Sequence, residues 1–394
     1  MKIESKAVHA GDRKRQPGAS IPVATPIHTA SSYFYESAEQ LDKVFAFEEP
    51  GYCYARYDNP TNAALQELVA ELENGAGAVA CGSGMAALHT AILAALTDRR
   101  RSIVAAGALY GATIKLLANV LEPSGVAVRF ADMCDLPTFL QAIEEERPGC
   151  VVIETVSNPL LRVAQVDRIA EAAREAGAAL IVDNTFATPL MVRPLELGAA
   201  YSVHSATKYL AGHGDVLGGI IVTGSEHLGT LGALARTIGP ALGPFEAYLT
   251  MRGIKTLPLR FERQCSNACR VADWLAAHPR IEKVHFPADP AHPDAEAIRR
   301  LFAPGLYGAM ISFEIRGAAR QEVFRFMDAL KMVVPATSLG DVHTMTLYPV
   351  MSSHRDVAPR QRERLGIREN LVRLSVGIEA VEDILADLDA ALAV

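Results

Sequence analysis

The sequence predicts an α/β protein, with a mainly parallel sheet covered by helices on both faces and a smaller α/β unit after it. Three observations carry that expectation. Short apolar runs at 102–105, 126–130, 151–153, 179–182 and 220–222 read as strands, and they alternate with stretches of helical periodicity. Strands separated by helices imply parallel pairing, because the chain must cross back before the next strand begins. Half of the 394 residues are hydrophobic while only 6% are aromatic, a composition suited to close packing of helices on a sheet. A chain of this length exceeds what one core usually organises, so more than one domain is expected.

Taken in order, residues 1–55 read as an arm, since Pro17, Pro22, Pro26 and Pro50 interrupt any long helix. Residues 56–252 form the large domain, which opens on a helical pattern at 61–74. Residues 253–394 form the smaller domain. It begins with a long helix near 254–278, then a strand near Val284, an apolar run at 309–315 and a helix at 320–330. Strands at 333–336 and 371–376 and a closing helix at 381–392 complete it.

Several function classes are excluded at this level. The net charge of -7 is modest and the basic residues are scattered, so no nucleic-acid partner is expected. No run of about eighteen apolar residues occurs and no apolar segment follows the charged N-terminus, so neither a membrane span nor a secretory leader is expected. The reading is a soluble cytoplasmic protein. The six cysteines form no disulfide framework and no paired C-x-x-C; Cys265 and Cys269 read as reduced packing residues on one helix face. His204, His213, His343 and His354 lack paired ligand spacing, so no metal is expected.

Chemistry enters at Ser205-Ala206-Thr207-Lys208, which follows the apolar segment 199–203. Two hydroxyl residues one and three positions before a lysine suit a phosphate-bearing aldehyde: the hydroxyls donate to phosphate while the amine condenses with the carbonyl. On the local sequence alone, a surface lysine after a serine-threonine turn is the stronger reading. Asp183 ends the apolar strand at 179–182, at the edge where α/β sheets bind ligands. A carboxylate there can keep a pyridine nitrogen protonated, and its competing role is an N-cap or an Asx turn. Gly82-Ser83-Gly84-Met85 opens a helix running to Leu96, where backbone N–H groups can cradle an anion; a plain tight turn reads the same way.

Tyr54 and Arg56 point the same way if the arm is extended, giving a guanidinium and a phenol for phosphate, or else a surface aromatic loop. Tyr110 can stack on a flat ring or fill core, and Asn158 can donate to a ring hydroxyl or serve as a turn residue. Arg373 lies inside an apolar strand, where an unpaired charge is costly; a substrate carboxylate or an internal salt bridge would each relieve that cost. Ser338 either helps to hold that carboxylate or turns the chain.

Together these segments resemble the Cys/Met-metabolism family of pyridoxal-phosphate (PLP) enzymes, which includes cystathionine γ-synthases, cystathionine γ-lyases, methionine γ-lyases and O-acylhomoserine sulfhydrylases. The resemblance runs over nearly the whole chain. It starts at Lys6-Ala7-Val8-His9-Ala10-Gly11 and passes through Tyr54-Ala55-Arg56-Tyr57-Asp58-Asn59-Pro60 and Gly82-Ser83-Gly84-Met85. It continues through Ser157-Asn158-Pro159, Val182-Asp183-Asn184-Thr185 and Ser205-Ala206-Thr207-Lys208, and ends with Ser338-Leu339-Gly340 and Val372-Arg373-Leu374-Ser375.

The resemblance implies the fold-type I, aspartate-aminotransferase-like architecture, with a mainly parallel seven-stranded sheet in the large domain. It also implies pyridoxal 5'-phosphate on Lys208, Asp183 at the ring nitrogen and Asn158 at the ring hydroxyl. Gly84, Met85, Ser205 and Thr207 would bind phosphate, Tyr110 would stack and shuttle protons, and Ser338 and Arg373 would hold the substrate carboxylate. A homotetramer, a dimer of catalytic dimers, would place Tyr54 and Arg56 on the neighbouring subunit's phosphate.

The activity implied is γ-elimination at the C–S bond of methionine, homocysteine or cystathionine, giving 2-oxobutanoate, ammonia and a thiol. The alternatives are γ-replacement on O-acetyl- or O-succinylhomoserine and, from another class, a non-catalytic PLP-binding relative. Substrate signatures are mixed. Ala112 stands where methionine γ-lyases have cysteine, and Thr337 stands where cystathionine-handling members have glutamate. Ser338-Leu339-Gly340-Asp341 is closer to the methionine lyases and sulfhydrylases.

Overall fold

The computed structural model describes residues 1–12, 20–355 and 359–394; Pro17 of the arm lies outside them. Seven strands form the larger sheet: β1 Gly77–Cys81, β2 Ser102–Ala106, β3 Ala127–Ala131, β4 Cys150–Glu154, β5 Ala179–Asp183, β6 Tyr201–Ser205 and β7 Gly219–Thr223. Their order is β1-β7-β6-β5-β4-β2-β3. Neighbours from β6 to β3 pair in parallel, and β7 alone runs antiparallel, against β6 and β1. Helices cover both faces, so the central strands bury both sides; Val151, Ile153, Ile181 and Val182 are fully enclosed. Burial of such a side chain contributes about 1.5–3 kcal/mol.

This topology positions the site. β4, β5 and β6 end side by side, with Glu154 in register with Asp183 and Asp183 in register with Val203. Because β7 returns antiparallel to β6, no crossover helix is needed, and the 206–218 connection stays at the edge where those strands end. Lys208 is carried on that connection.

The second sheet holds β8 Ile281–His285, β9 Met310–Ile315, β10 Val334–Pro335, β11 Met345–Leu347 and β12 Leu371–Ser375, in the order β10-β11-β12-β9-β8. Arg373 sits mid-strand in β12 between Leu347 of β11 and Ser312 of β9. The Ser312 hydroxyl donates to the Pro159 carbonyl at 2.6 Å, which ties this sheet to the loop after β4.

Three expectations shift. β1, Gly-Ala-Val-Ala-Cys, was not anticipated as a strand, because small residues give it weak strand propensity and it is fixed by pairing with β7 at the sheet's margin. The three-residue β11 is too short to show alternation. The long helix spans Leu257–Ala277, while Ile254 closes a separate helix Pro244–Ile254; Pro258 falls in the first turn, where its missing N–H costs nothing. The arm carries only short helices, Ile3–His9 and Ala38–Phe45. Among the described residues no helix is long and apolar enough to cross a membrane, and no group of His, Cys, Asp or Glu is arranged to hold a metal ion.

Candidate active site

A cavity of about 480 Å³ opens between the ends of β4–β6 and the second sheet. Gly84, Met85, Tyr110, Asn158, Asp183, Ser205, Thr207, Lys208 and Arg373 all line it, although they come from nearly 290 positions of sequence. Ser338 reaches it through Lys208, whose Nζ donates to the Ser338 hydroxyl at 3.1 Å. The surface-lysine reading is thereby set aside: Lys208 is largely enclosed. Burial, and then the Arg373 charge, hold its amine below the ordinary lysine range.

One end of the cavity is built from donors. The Ser83 hydroxyl caps the helix Gly84–Leu96 by accepting the Ala86 N–H at 3.1 Å, and Ser83, Gly84 and Met85 at the start of that helix line the cavity, where a helix N-terminus favours an anion. Gly84 is required sterically, since a Cβ there would come within 2.8 Å of Ser205. Gly219 is required too, since a Cβ would lie 2.1 Å from the Ser83 carbonyl. The Thr207 hydroxyl accepts the Gly218 N–H at 3.0 Å.

In the middle, Asp183 combines both roles weighed for it. Its Oδ1 accepts the Thr185 N–H at 3.0 Å and the Thr185 hydroxyl at 2.5 Å, an Asx-type turn, while Asp183 also lines the cavity. The Thr185 hydroxyl in turn accepts the Ser205 N–H at 2.9 Å, so one threonine locks the ends of β5 and β6 together. Burial pushes the Asp183 carboxyl up, against the lowering effect of the Thr185 bonds.

At the far end, Arg373 is 3% exposed and has no carboxylate partner among the described residues. Its Nη1 donates to Asn158 Oδ1 at 2.9 Å and its Nη2 to the Ser338 carbonyl at 3.3 Å, while Nε is buried without a partner. The internal salt bridge is therefore not what holds it. Burial lowers its pKa to about 10, which leaves the guanidinium charged at neutral pH. A guanidinium only donates, so the Asn158 atom facing it is the carbonyl oxygen, and the Asn158 NH₂ is left to donate elsewhere.

Tyr54 and Arg56 are not brought into this cavity. Tyr54 is 44% exposed, and the Arg56 guanidinium lies 5.4 Å from its ring centroid and donates to the Arg236 carbonyl. Among the described residues, this chain thus brings no arginine beside Gly84, Ser205 and Thr207 in the cavity lining other than Arg373 of the second sheet. Sequence reasoning missed Glu154 and Thr185, which also line the cavity. Glu154 had a legible signal, since it ends an apolar strand as Asp183 does; Thr185 had none beyond following Asp183 by two.

The residues present fit PLP: N–H and hydroxyl donors at a phosphate-sized end, an amine without a carboxylate partner, and a carboxyl on the opposite wall. Capture of PLP requires the neutral amine, so its rate on PLP-free protein should rise with pH around a midpoint below that of an exposed lysine, which is about 10.4. Arg373→Gln removes one of the two lowering causes and should move that midpoint up. A stopped-flow absorbance series over pH checks this, and a midpoint unmoved or moved down contradicts it.

Comparison with known proteins points to the same cofactor. The family model described as Cys/Met metabolism PLP-dependent enzyme matches residues 4–393. An L-methionine gamma-lyase of Fusobacterium nucleatum subsp. polymorphum is 39% identical over 393 residues, covering 99% of this chain and 98% of that one. An O-succinylhomoserine sulfhydrylase of Pseudomonas aeruginosa is 36% identical, covering 99% and 95%. The crystal structure of cystathionine gamma synthase from Xanthomonas oryzae pv. oryzae in complex with cystathionine superposes with a TM-score of 0.92 at 36% identity, covering 100% and 98%.

Proposed function

The chain belongs to the Cys/Met metabolism PLP-dependent enzyme family, and from that premise we propose that it catalyses γ-elimination at the C–S bond of a sulfur amino acid. Methionine, homocysteine or cystathionine plus water would give a thiol, 2-oxobutanoate and ammonia. The observation that carries an amino-acid substrate is Arg373, a buried guanidinium with no carboxylate partner among the described residues, linked through Ser338 to Lys208. Elimination is favoured over replacement because methionine γ-lyases at 39–40% identity cover 99% of the chain, against 36% for the sulfhydrylase.

When bound, PLP supplies an electron-withdrawing ring that acidifies the protons at Cα and Cβ of the substrate. Lys208 holds the cofactor and then moves protons at its Nζ, first from Cα and then at Cβ. Arg373 and Ser338 would hold the α-carboxylate, Asp183 would serve the ring nitrogen, and Asn158 would donate to the ring hydroxyl. Tyr110 would stack on the ring and shuttle protons. Gly84, Met85, Ser205 and Thr207 would take the phosphate, with Tyr54 and Arg56 of a neighbouring subunit supplying a cation at that end of the cavity, away from Arg373. That arrangement needs at least a dimer, and we read the assembly as a homotetramer of two such dimers in the cytoplasm.

The test is a substrate panel with PLP-loaded protein. Methionine, homocysteine or cystathionine alone should yield 2-oxobutanoate. Turnover seen only with an O-acylhomoserine plus a thiol would overturn elimination in favour of replacement.

A further inference from the structure

Glu154 is the acidic side chain of the cavity to which no role above is given. It closes β4 in register with Asp183 and is 6% exposed. Its Oε1 accepts the Tyr110 N–H at 2.5 Å. The Tyr110 carbonyl accepts the Thr113 and Ile114 N–H groups at 2.8 and 3.2 Å, so the Glu154 bond is what ties its N–H side to the sheet. Tyr110 is 43% exposed and opens the six-residue helix Gly111–Leu116 with no side-chain cap of its own. One buried carboxyl is therefore bonded to the backbone of Tyr110, whose side chain lines the cavity.

An acid enclosed beside a second carboxyl is costly, and an apolar residue of similar volume would avoid that cost. Burial, and then the neighbouring Asp183, push the Glu154 carboxyl well above the usual carboxylate range, which favours the protonated form, and a protonated carboxyl still keeps a carbonyl oxygen that accepts. What remains to account for an acceptor at this position is the Tyr110 N–H it receives.

We propose that Glu154 is a positioning residue, whose carboxyl oxygen fixes the Tyr110 backbone and thereby the tilt of the phenol over the bound cofactor. The inference rests on the PLP reading of the cavity. It acts through Tyr110, and the test is built on that dependence.

The experiment compares PLP-loaded Glu154→Gln, Glu154→Leu and Glu154→Asp, and places Glu154→Leu also in a Tyr110→Phe background. Gln keeps an uncharged acceptor at the same reach and should retain turnover within about threefold, whereas Leu should lower kcat about 100-fold, the loss typical of a misplacement of about 1 Å. Asp withdraws the carboxyl by one methylene and should behave like Leu, which keeps the test open if Glu154→Leu does not fold. Visible circular dichroism of the bound cofactor should change with Leu and Asp and stay near wild type with Gln. In the Tyr110→Phe background, where the phenol is already gone, Glu154→Leu should cost less than about threefold more, because residues acting through one another are not additive. Gln as slow as Leu, a full Leu loss persisting in the Tyr110→Phe background, or Leu and Asp with unchanged dichroism and kcat would each overturn the proposal. Wild-type protein that develops no visible band with PLP would instead overturn the reading on which it rests.

Discussion

Replacing Lys208 with alanine is expected to abolish the visible absorption of the PLP-loaded protein and to lower turnover by about 10³-fold or more. Among the described residues Lys208 is the one lysine lining the cavity, so none of them offers a second amine to replace it. Its Nζ meets a hydroxyl, not a carboxylate, and is therefore not committed to an ion pair that would hold it charged. The donor end, with Gly84, Ser205 and Thr207, is left intact by the substitution. PLP should still bind to Lys208→Ala, but should be lost on dialysis faster than from wild type. Absorbance spectra before and after dialysis, with a 2-oxobutanoate assay, check both statements; a retained band and retained turnover would show that another residue carries the cofactor.

The second large effect is at Arg373. Removing one partner of a buried charge pair typically costs about 2–5 kcal/mol, or roughly 30- to 5,000-fold, so Arg373→Met should lower kcat/KM on any amino-acid substrate within that range. Stability should move the other way. Arg373 is buried with one nitrogen unpartnered and without a carboxylate among the described residues, so Met relieves the desolvation cost of a charge and gives up two hydrogen bonds to neutral carbonyl oxygens. The Tm of the PLP-free variant should hold or rise while catalysis falls. A variant that lost stability and kept kcat/KM would mean that Arg373 serves the fold and not the substrate.

The same contrast explains what the sequence made legible. Strands such as 179–182 announce themselves because burial on both faces leaves an unbroken apolar run, and the terminal Asp183 then stands out as a polar residue at the sheet's edge. Lys208 was not legible alone. Its enclosure depends on β7 turning back antiparallel and on Ser338 arriving from 130 positions away. Arg373 was marked by its apolar neighbours, yet whether an internal carboxylate met it depended on contacts between distant segments. Glu154 ends an apolar strand as Asp183 does, so its place at the sheet's edge was legible, but its bond to the Tyr110 N–H, 44 positions away, was not. Thr185 shows the same limit, since its two bonds are set by the alignment of β5 and β6. Tyr54 and Arg56 mark a further boundary: one chain does not bring them to its own cavity, so their proposed work belongs to the assembly.

The most direct measurement is chemical mapping of the cofactor lysine. PLP-loaded protein is reduced with borohydride, digested, and the peptides are sequenced by mass spectrometry. The account predicts a phosphopyridoxyl group on Lys208 and on no other lysine. A modified lysine elsewhere, or none at all, would contradict it.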